Sequence, residues 1–219
     1  MAQAKSLTPR QLNKVLNRCL LMPHHQLKRA ALSLSFSTLR VTEVAQITIR
    51  DVMHRSGELR TEISMRADIC KGKRARIIWF SDQTKQMLQE WLDHRKTKRW
   101  GLSSSDEYQG FNPDSKVLYC NRGRPYGLKA KNRKLLDGTP IIYYSCDSLE
   151  LVIRTIFNKC GLKGASSHTG RRSWATTMSR RRVPLKVISK ALGHADEQVT
   201  LMYIDVSDKD IIEASELAY

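Results

Sequence analysis

The sequence has 219 residues, enough for one sizeable core, and its 41% hydrophobic and 27% charged content is ordinary for a globular chain. Its 38 lysines and arginines against 21 acids leave a formal charge of +17, which calls for a polyanionic partner, and no apolar run is long enough to make that partner a spanned membrane. Cys19, Cys70, Cys120, Cys146 and Cys160 are scattered, with no C-x-x-C pair, which sets aside a disulfide framework or zinc site and fits a reducing cytoplasm.

The first five residues lack the apolar core of a signal peptide, and residues 1–6 read as a flexible start. Thr8-Pro9-Arg10-Gln11 opens a helix, with Thr8 as N-cap, Pro9 in the first helical position and Gln11 as capping-box partner. It buries Leu12, Val15, Leu16 and Cys19 and stops before Pro23. A second helix is expected over about 26–39. A third begins within Leu39-Arg40-Val41-Thr42-Glu43-Val44, with Thr42 as candidate cap. Arg40 falls in the turn before it, where Glu43 at i+3 is the nearest anion and a structural pair is the favoured reading. Residues 59–65 and 76–80 read as two strands joined by the basic turn Cys70-Lys71-Gly72-Lys73-Arg74. Ser81-Asp82-Gln83-Thr84 caps a helix through Met87, Leu88, Trp91 and Leu92.

Between 101 and 147 regular structure is hard to assign beyond a short strand at Val117-Leu118-Tyr119. Arg122, Arg124, Lys129, Lys131, Arg133 and Lys134 make this the densest basic segment. It reads as a loop contacting a DNA backbone, as do Lys73, Arg74 and Arg172 elsewhere. A helix over Ser148 to Cys160 follows. No repeat and no long linker interrupts the chain, so residues 1–219 read as a single domain, α+β and mostly helical with a small antiparallel sheet. After Tyr203 come Asp205, Asp208, Asp210, Glu213 and Glu216 against one base, Lys209, with apolar Ile211, Ile212 and Leu217. Residues 204–219 thus form an acidic amphipathic tail, suited either to covering its own domain or to docking on a neighbouring subunit.

The stretch from His168 to Tyr203 concentrates the chemistry. His168-Thr169-Gly170-Arg171-Arg172-Ser173-Trp174 opens a helix that places His168 and Arg171 on one face. Arg180-Arg181-Arg182 turns the chain, Pro184 starts a second helix, and Leu192-Gly193-His194 ends it nine residues before Tyr203. Cations and donors gathered at a helix N-terminus suit a phosphate oxygen. A phenol with pKa near ~10 needs a base or surrounding positive charge to act as a nucleophile.

Leu39-Arg40-Val41-Thr42-Glu43, Lys71, His168-x-x-Arg171, Leu192-Gly193-His194 and Tyr203 resemble, in order and spacing, the catalytic set of the tyrosine recombinases, the phage-integrase family. The likeness runs from about residue 7 to 206. It implies that family's catalytic-domain fold, with no N-terminal core-binding domain evident here. Tyr203 would attack a scissile phosphate to form a 3′-phosphotyrosine. Arg40 and Arg171 would clamp its non-bridging oxygens, and His168 and His194 would hydrogen-bond it or move the tyrosine's proton. Lys71, preferred over Lys73 on spacing, would protonate the leaving 5′-oxygen, and Glu43 would support the site.

The resemblance implies no metal, ATP or other cofactor. Its partner would be double-stranded DNA, met by a monomer that becomes a tetramer on two DNA sites, with accessory DNA-bending or directionality factors. The setting would be a cytoplasmic, nucleoid-associated enzyme of a bacterium, phage or mobile element. Thr169-Gly170 departs from the pattern, replacing a larger apolar residue, and this predicts a more loosely packed helix start. A non-cutting DNA-binding module and a type IB topoisomerase-like relaxing enzyme are the alternatives.

Overall fold

The computed structural model describes residues 4–134 and 137–216. Helix α1 (Pro9–Leu20) opens as the sequence predicts: the Gln11 amide donates to Thr8 Oγ1 at 3.3 Å and the Thr8 amide to Gln11 Oε1 at 2.9 Å. Within the expected flexible start the Lys5 amide donates to the Gly164 carbonyl at 3.2 Å, and just after it the Leu7 amide donates to Ser173 Oγ at 2.7 Å, with Leu7 buried. Residues 1–3 of that expected start lie outside the described residues.

Helix α2 (His25–Phe36) is the central pillar, buried on every side from Ala30 to Ser35. It stops three residues before the expected Leu39. Ser37 Oγ donates to the Ser33 carbonyl at 2.9 Å, and Thr38 takes φ +69°, which no helix continues. That break frees the Thr38 carbonyl for use in the site. Helix α3 (Val41–Gln46) starts two residues earlier than a Thr42 cap would have placed it, with Arg40 in the cap position and its amide donating to Glu43 Oε2 at 2.7 Å. The short α4 (Ile49–Val52) follows.

Strands β1 (Glu62–Met65) and β2 (Arg76–Trp79) pair antiparallel with Ile63 opposite Ile78 and Met65 opposite Arg76. They are shorter than predicted, and Leu59 instead bridges to Met53. The basic turn between them is a 3-10 turn at Lys71–Lys73. Helix α5 (Asp82–Thr97) packs along α2, its N-terminus capped by Ser81 Oγ accepting from the Thr84 amide at 3.2 Å. Residues Val117 and Leu118 are buried core, with isolated bridges at Lys116 and Tyr119 in place of the expected strand.

The basic segment is a loop only at Arg122 and Arg124; its second half is strand. Strands β3 (Lys129–Lys134) and β4 (Pro140–Ser145) form a second antiparallel ribbon, with Lys131 opposite Tyr143 and Asn132 opposite Ile142. β-Branched and aromatic residues on β4 supply the strand propensity that β3 lacks. Helices α6 (Asp147–Lys159), α7 (Thr169–Arg180), α8 (Leu185–Leu192), α9 (Glu197–Leu201) and α10 (Asp208–Glu216) complete the chain. Among the described residues no helix is long and apolar enough to cross a membrane.

The start of α7 is tightly packed, contrary to expectation. Thr169 is fully buried, and its Oγ1 accepts from the Ser166 amide at 2.9 Å. A Cβ at Gly170 would lie 2.5 Å from the Ser35 carbonyl oxygen, so the absent side chain is what lets α7 meet α2. One large core surrounds α2. A satellite cluster of Ala175, Ile188 and Leu192 packs with Trp174, Met178, Val183, Tyr203 and Ile204. Tyr203 therefore belongs to the smaller cluster, carried by the last helices.

Candidate active site

The extended segment before α3, the start of α7 and the end of α8 converge at one end of the pillar. Arg171, one turn into α7, is fully buried. One terminal nitrogen donates to the Thr38 carbonyl; the other donates to the Leu192 carbonyl at 2.7 Å and lies 3.1 Å from His194 Nε2. Its Nε has no partner, and its guanidinium carbon sits 5.5 Å from the Tyr203 ring centre. Burial and then Arg40 lower its pKa to about 9. Among the described residues no carboxylate is ion-paired with it, so its charge is met directly by carbonyl dipoles and the His194 ring nitrogen, with Glu43 acting from further off.

Gly193, at φ +65°, ends α8 and turns His194 back toward Arg171. A guanidinium only donates, so His194 Nε2 must accept, which fixes the neutral Nδ1–H tautomer. Nδ1–H then donates to Thr200 Oγ1 at 2.9 Å. Burial, followed by Arg171, pushes the His194 pKa down to about 4, in keeping with that neutral ring. Its ring centre is 4.8 Å from that of Tyr203. His168, the residue before α7, keeps an exposed edge; crowding by surrounding atoms and then Arg171 hold its pKa below the usual value, while Glu150 pulls the other way.

Arg40 Nη1 donates to Glu43 Oε1 at 3.0 Å, so the pair read from the sequence is present. It is part of something larger. Glu43 is fully buried and also receives a two-pronged bond from Arg76, at 2.8 and 2.7 Å. Burial resists its ionisation, but Arg76 and then Arg40 outweigh that and hold the carboxyl below the ordinary range. Lys71 is exposed on its turn, and its charge acts on both His168 and His194. The structure thus brings Arg40 to Glu43 and Arg171 to His194 and Tyr203, with Lys71 and His168 near enough for their charges to act on or respond to that group.

The expected backbone contacts divide. Lys73, Arg74, Arg122, Arg124, Lys129, Arg133 and Lys134 are exposed. Lys131 is half-buried and paired with Asp147 at 2.6 Å. Arg172 is not available to DNA: it is buried, ion-paired with Asp205, and donates to the Met202 carbonyl. A basic residue following Arg171 on a helix turns inward with the buried face of α7, where an acid must meet it. Beside it Thr176 Oγ1 donates to the Tyr203 carbonyl at 3.3 Å and accepts from the Asp205 amide at 3.0 Å. Arg172, Thr176 and Asp205 together dock the tyrosine segment on α7.

Sequence reasoning missed Arg76, Thr38, Thr176, Thr200 and Asp205 as parts of the site. For Arg76 a signal existed: it alternates with the inward Ile78 on β2, and an inward arginine needs an anion. Thr38 acts through its carbonyl, which carries no residue-type signal.

Residues 5–210 match the model of the phage integrase family. The chain belongs to that family. It is 26% identical over 182 residues to tyrosine recombinase XerC of Lactobacillus leichmannii, covering 82% of this chain and 50% of that protein. Against tyrosine recombinase XerC of Chlamydia muridarum it is 28% identical over 184 residues, covering 83% of this chain and 47% of the other. The chain thus spans about half the length of these curated relatives. Its fold is that of the recombinase catalytic domains. The crystal structure of XerA recombinase superimposes with a TM-score of 0.70 at 19% identity, covering 99% of this chain and 64% of that one. That of XerH site-specific recombinase bound to palindromic difH substrate, a post-cleavage complex, gives 0.66 at 20%, covering 98% of this chain and 53% of that one.

Proposed function

We propose that this chain cuts and rejoins DNA at specific sites through a covalent 3′-phosphotyrosine on Tyr203. The observation that carries the reading is Arg171: a buried guanidinium with no carboxylate partner among the described residues, within reach of Arg40, His194 and a tyrosine ring. A buried cation held by carbonyls and a neutral ring nitrogen, with no ion-paired carboxylate, is suited to receive an anion. A phosphodiester undergoing displacement spreads negative charge over its non-bridging oxygens, which two guanidiniums bind through paired donors.

The Tyr203 phenol oxygen forms a bond to phosphorus as the bond to the 5′-oxygen breaks. The phenol proton passes to a neighbouring base, for which His168 is the candidate; His194, whose Nε2 lone pair accepts from Arg171, would take it only on giving up that bond. Lys71 supplies a proton to the leaving 5′-oxygen. Attack by a 5′-hydroxyl on the phosphotyrosine reverses the sequence, so rejoining conserves the bond energy and calls for no ATP. The positive charge comes from side chains, and no step calls for a metal ion.

The partner is duplex DNA. The XerH neighbour is bound to a palindromic difH substrate, and the Tn1549 transposon integrase is in complex with transposon right end DNA. Exposed cations line both ribbons: Lys71, Lys73 and Arg74 on the turn between β1 and β2, and Lys129, Arg133 and Lys134 along β3. The tail supports assembly on DNA into a tetramer of this cytoplasmic enzyme. Asp210 tethers α10 to Arg180 of α7 at 2.9 Å, while Ile211 and Ile212 stay exposed and open to a neighbouring copy; Leu217, expected on the same face, lies outside the described residues. Accessory bending or directionality factors remain part of the proposal.

The test is a covalent-trap assay in EDTA with nicked duplexes drawn from DNA flanking the gene. An SDS-resistant adduct with wild type and none with Tyr203→Phe is expected; DNA binding with no adduct would favour the non-cutting module. Relaxation of any supercoiled plasmid, with no site preference, would favour the topoisomerase-like alternative.

A further inference from the structure

Arg76 is the most heavily bonded side chain near the site, and the reaction as described does not use it. It projects inward from β2, and its side chain is 7% exposed. Its two terminal nitrogens grip both oxygens of Glu43, at 2.8 and 2.7 Å. One of them also donates to the Thr38 carbonyl at 3.1 Å, and the other approaches Cys70 Sγ at 3.8 Å. Both terminal nitrogens are thus occupied by protein partners and the remaining Nε, unpartnered among the described residues, is buried, so the fork is turned to the protein and not to a phosphate.

What matters is where those partners lead. Glu43 is the carboxylate that holds Arg40. The Thr38 carbonyl is also the acceptor for Arg171. One guanidinium is therefore bonded to the partner of each clamping arginine. Its stem reaches the histidine too: a Cβ at Gly193 would lie 2.5 Å from Arg76 Cδ, so the turn carrying His194 rests against it. Cys70 precedes Lys71 on the turn of the same ribbon. A single side chain thus ties β2 to four groups that must converge on one phosphate.

Resting on the phosphotyrosine reading above, we propose that Arg76 is a positioning residue, which sets the spacing of Arg40 and Arg171 through Glu43 and the Thr38 carbonyl. The planar fork is what suits arginine to this place. It meets both carboxylate oxygens and a carbonyl at fixed angles, whereas a lysine ammonium offers one flexible point of charge. Misplacing clamping groups by about an ångström costs on the order of 100-fold in rate. That loss should appear in the chemical step and not in DNA affinity, because Arg76 itself does not reach the duplex.

The experiment compares wild type, Arg76→Gln and Arg76→Lys in single-turnover adduct formation on two nicked duplexes. One carries a normal scissile phosphate and the other a methylphosphonate at that bond. Melting curves and DNA affinity are measured alongside. Arg76→Lys retains a cation against Glu43, so it should stay folded even if Arg76→Gln does not.

On the phosphate substrate both folded variants should lose about 10- to 100-fold in rate with DNA affinity unchanged. On the uncharged methylphosphonate the loss should shrink several-fold, because a neutral linkage asks less of two cations. A wild-type rate in either folded variant overturns the proposal, and so does an equal loss on both linkages, which is what a merely structural role produces. If wild type itself forms no adduct, the phosphotyrosine reading fails separately. Titration with inorganic phosphate, read from the ring protons of His168 and His194, then decides the matter for Arg76. Weaker phosphate binding in Arg76→Lys sustains the positioning role, and equal binding ends it.

Discussion

Asp205→Asn should slow DNA cleavage without weakening DNA binding. The carboxylate pairs with Arg172, whose side chain is 8% exposed while that of Asp205 is 35% exposed. Removing one partner of a buried ion pair costs about 3–5 kcal/mol, and of an exposed pair less than about 1 kcal/mol. This pair lies between those limits, so about 2 kcal/mol is expected, a factor of roughly thirty in an equilibrium constant. The affected equilibrium is docking of the tyrosine segment on α7, since the remaining ties are Arg172 to the Met202 carbonyl and Thr176 to the backbone of Tyr203 and Asp205.

Adduct formation from a preformed protein–DNA complex reads that population directly. A rate reduced by up to about thirty-fold at unchanged affinity is expected, with Arg172→Gln giving a similar loss and the double variant no more than either alone. Were Arg172 a DNA-backbone contact, Asp205→Asn would release a cation and tighten binding, and Arg172→Gln would reduce the salt dependence by about one charge. That outcome would refute the latch.

Gly170→Ala should destabilise the fold by about 1–3 kcal/mol, seen as a lowered melting temperature, because its Cβ would press on the rigid Ser35 carbonyl. Acid should weaken the fold through the histidines. His194 titrates at about 4 when folded, against 6.5 when unfolded, and His168 is shifted the same way, so between those values the unfolded chain binds more protons. The stabilisation is complete above pH 6.5 and is lost as pH falls toward 4; melting curves across that window should flatten in His194→Asn. Neutralising Lys129, Arg133 and Lys134 to Gln should lower the salt dependence of DNA binding by about two to three charges, with cleavage at saturating protein unchanged. Lys131→Gln should add less, because Asp147 already neutralises that side chain.

The site was legible in the sequence wherever residue type and spacing carry the chemistry. His168 and Arg171 share a face because helix geometry demands it, and the Thr8 capping box is a local arrangement that needs no tertiary partner. Features decided across the chain were not legible. Strand β3 is basic and polar, and pairing with β4 overrides its weak propensity. The end of α2 was misplaced because Thr38 takes a left-handed conformation that periodicity does not reveal. Arg95 shows the same limit in the core. It is fully buried among the carbonyls of Lys116, Val117 and Trp100 and the rings of Phe111 and Tyr119, all but Trp100 sixteen or more residues away in the chain. The supposed DNA contact at Arg172 failed likewise, since its acid lies beyond two intervening helices.

The central claim is that Tyr203 is the nucleophile. The most direct measurement is to trap the protein on a nicked duplex in EDTA, digest the adduct and locate the nucleotide-bearing peptide by mass spectrometry. The account predicts a 3′-phosphodiester on Tyr203 and its loss in Tyr203→Phe. An adduct on Tyr143, Tyr144 or Tyr219, or one that survives in Tyr203→Phe, would contradict it.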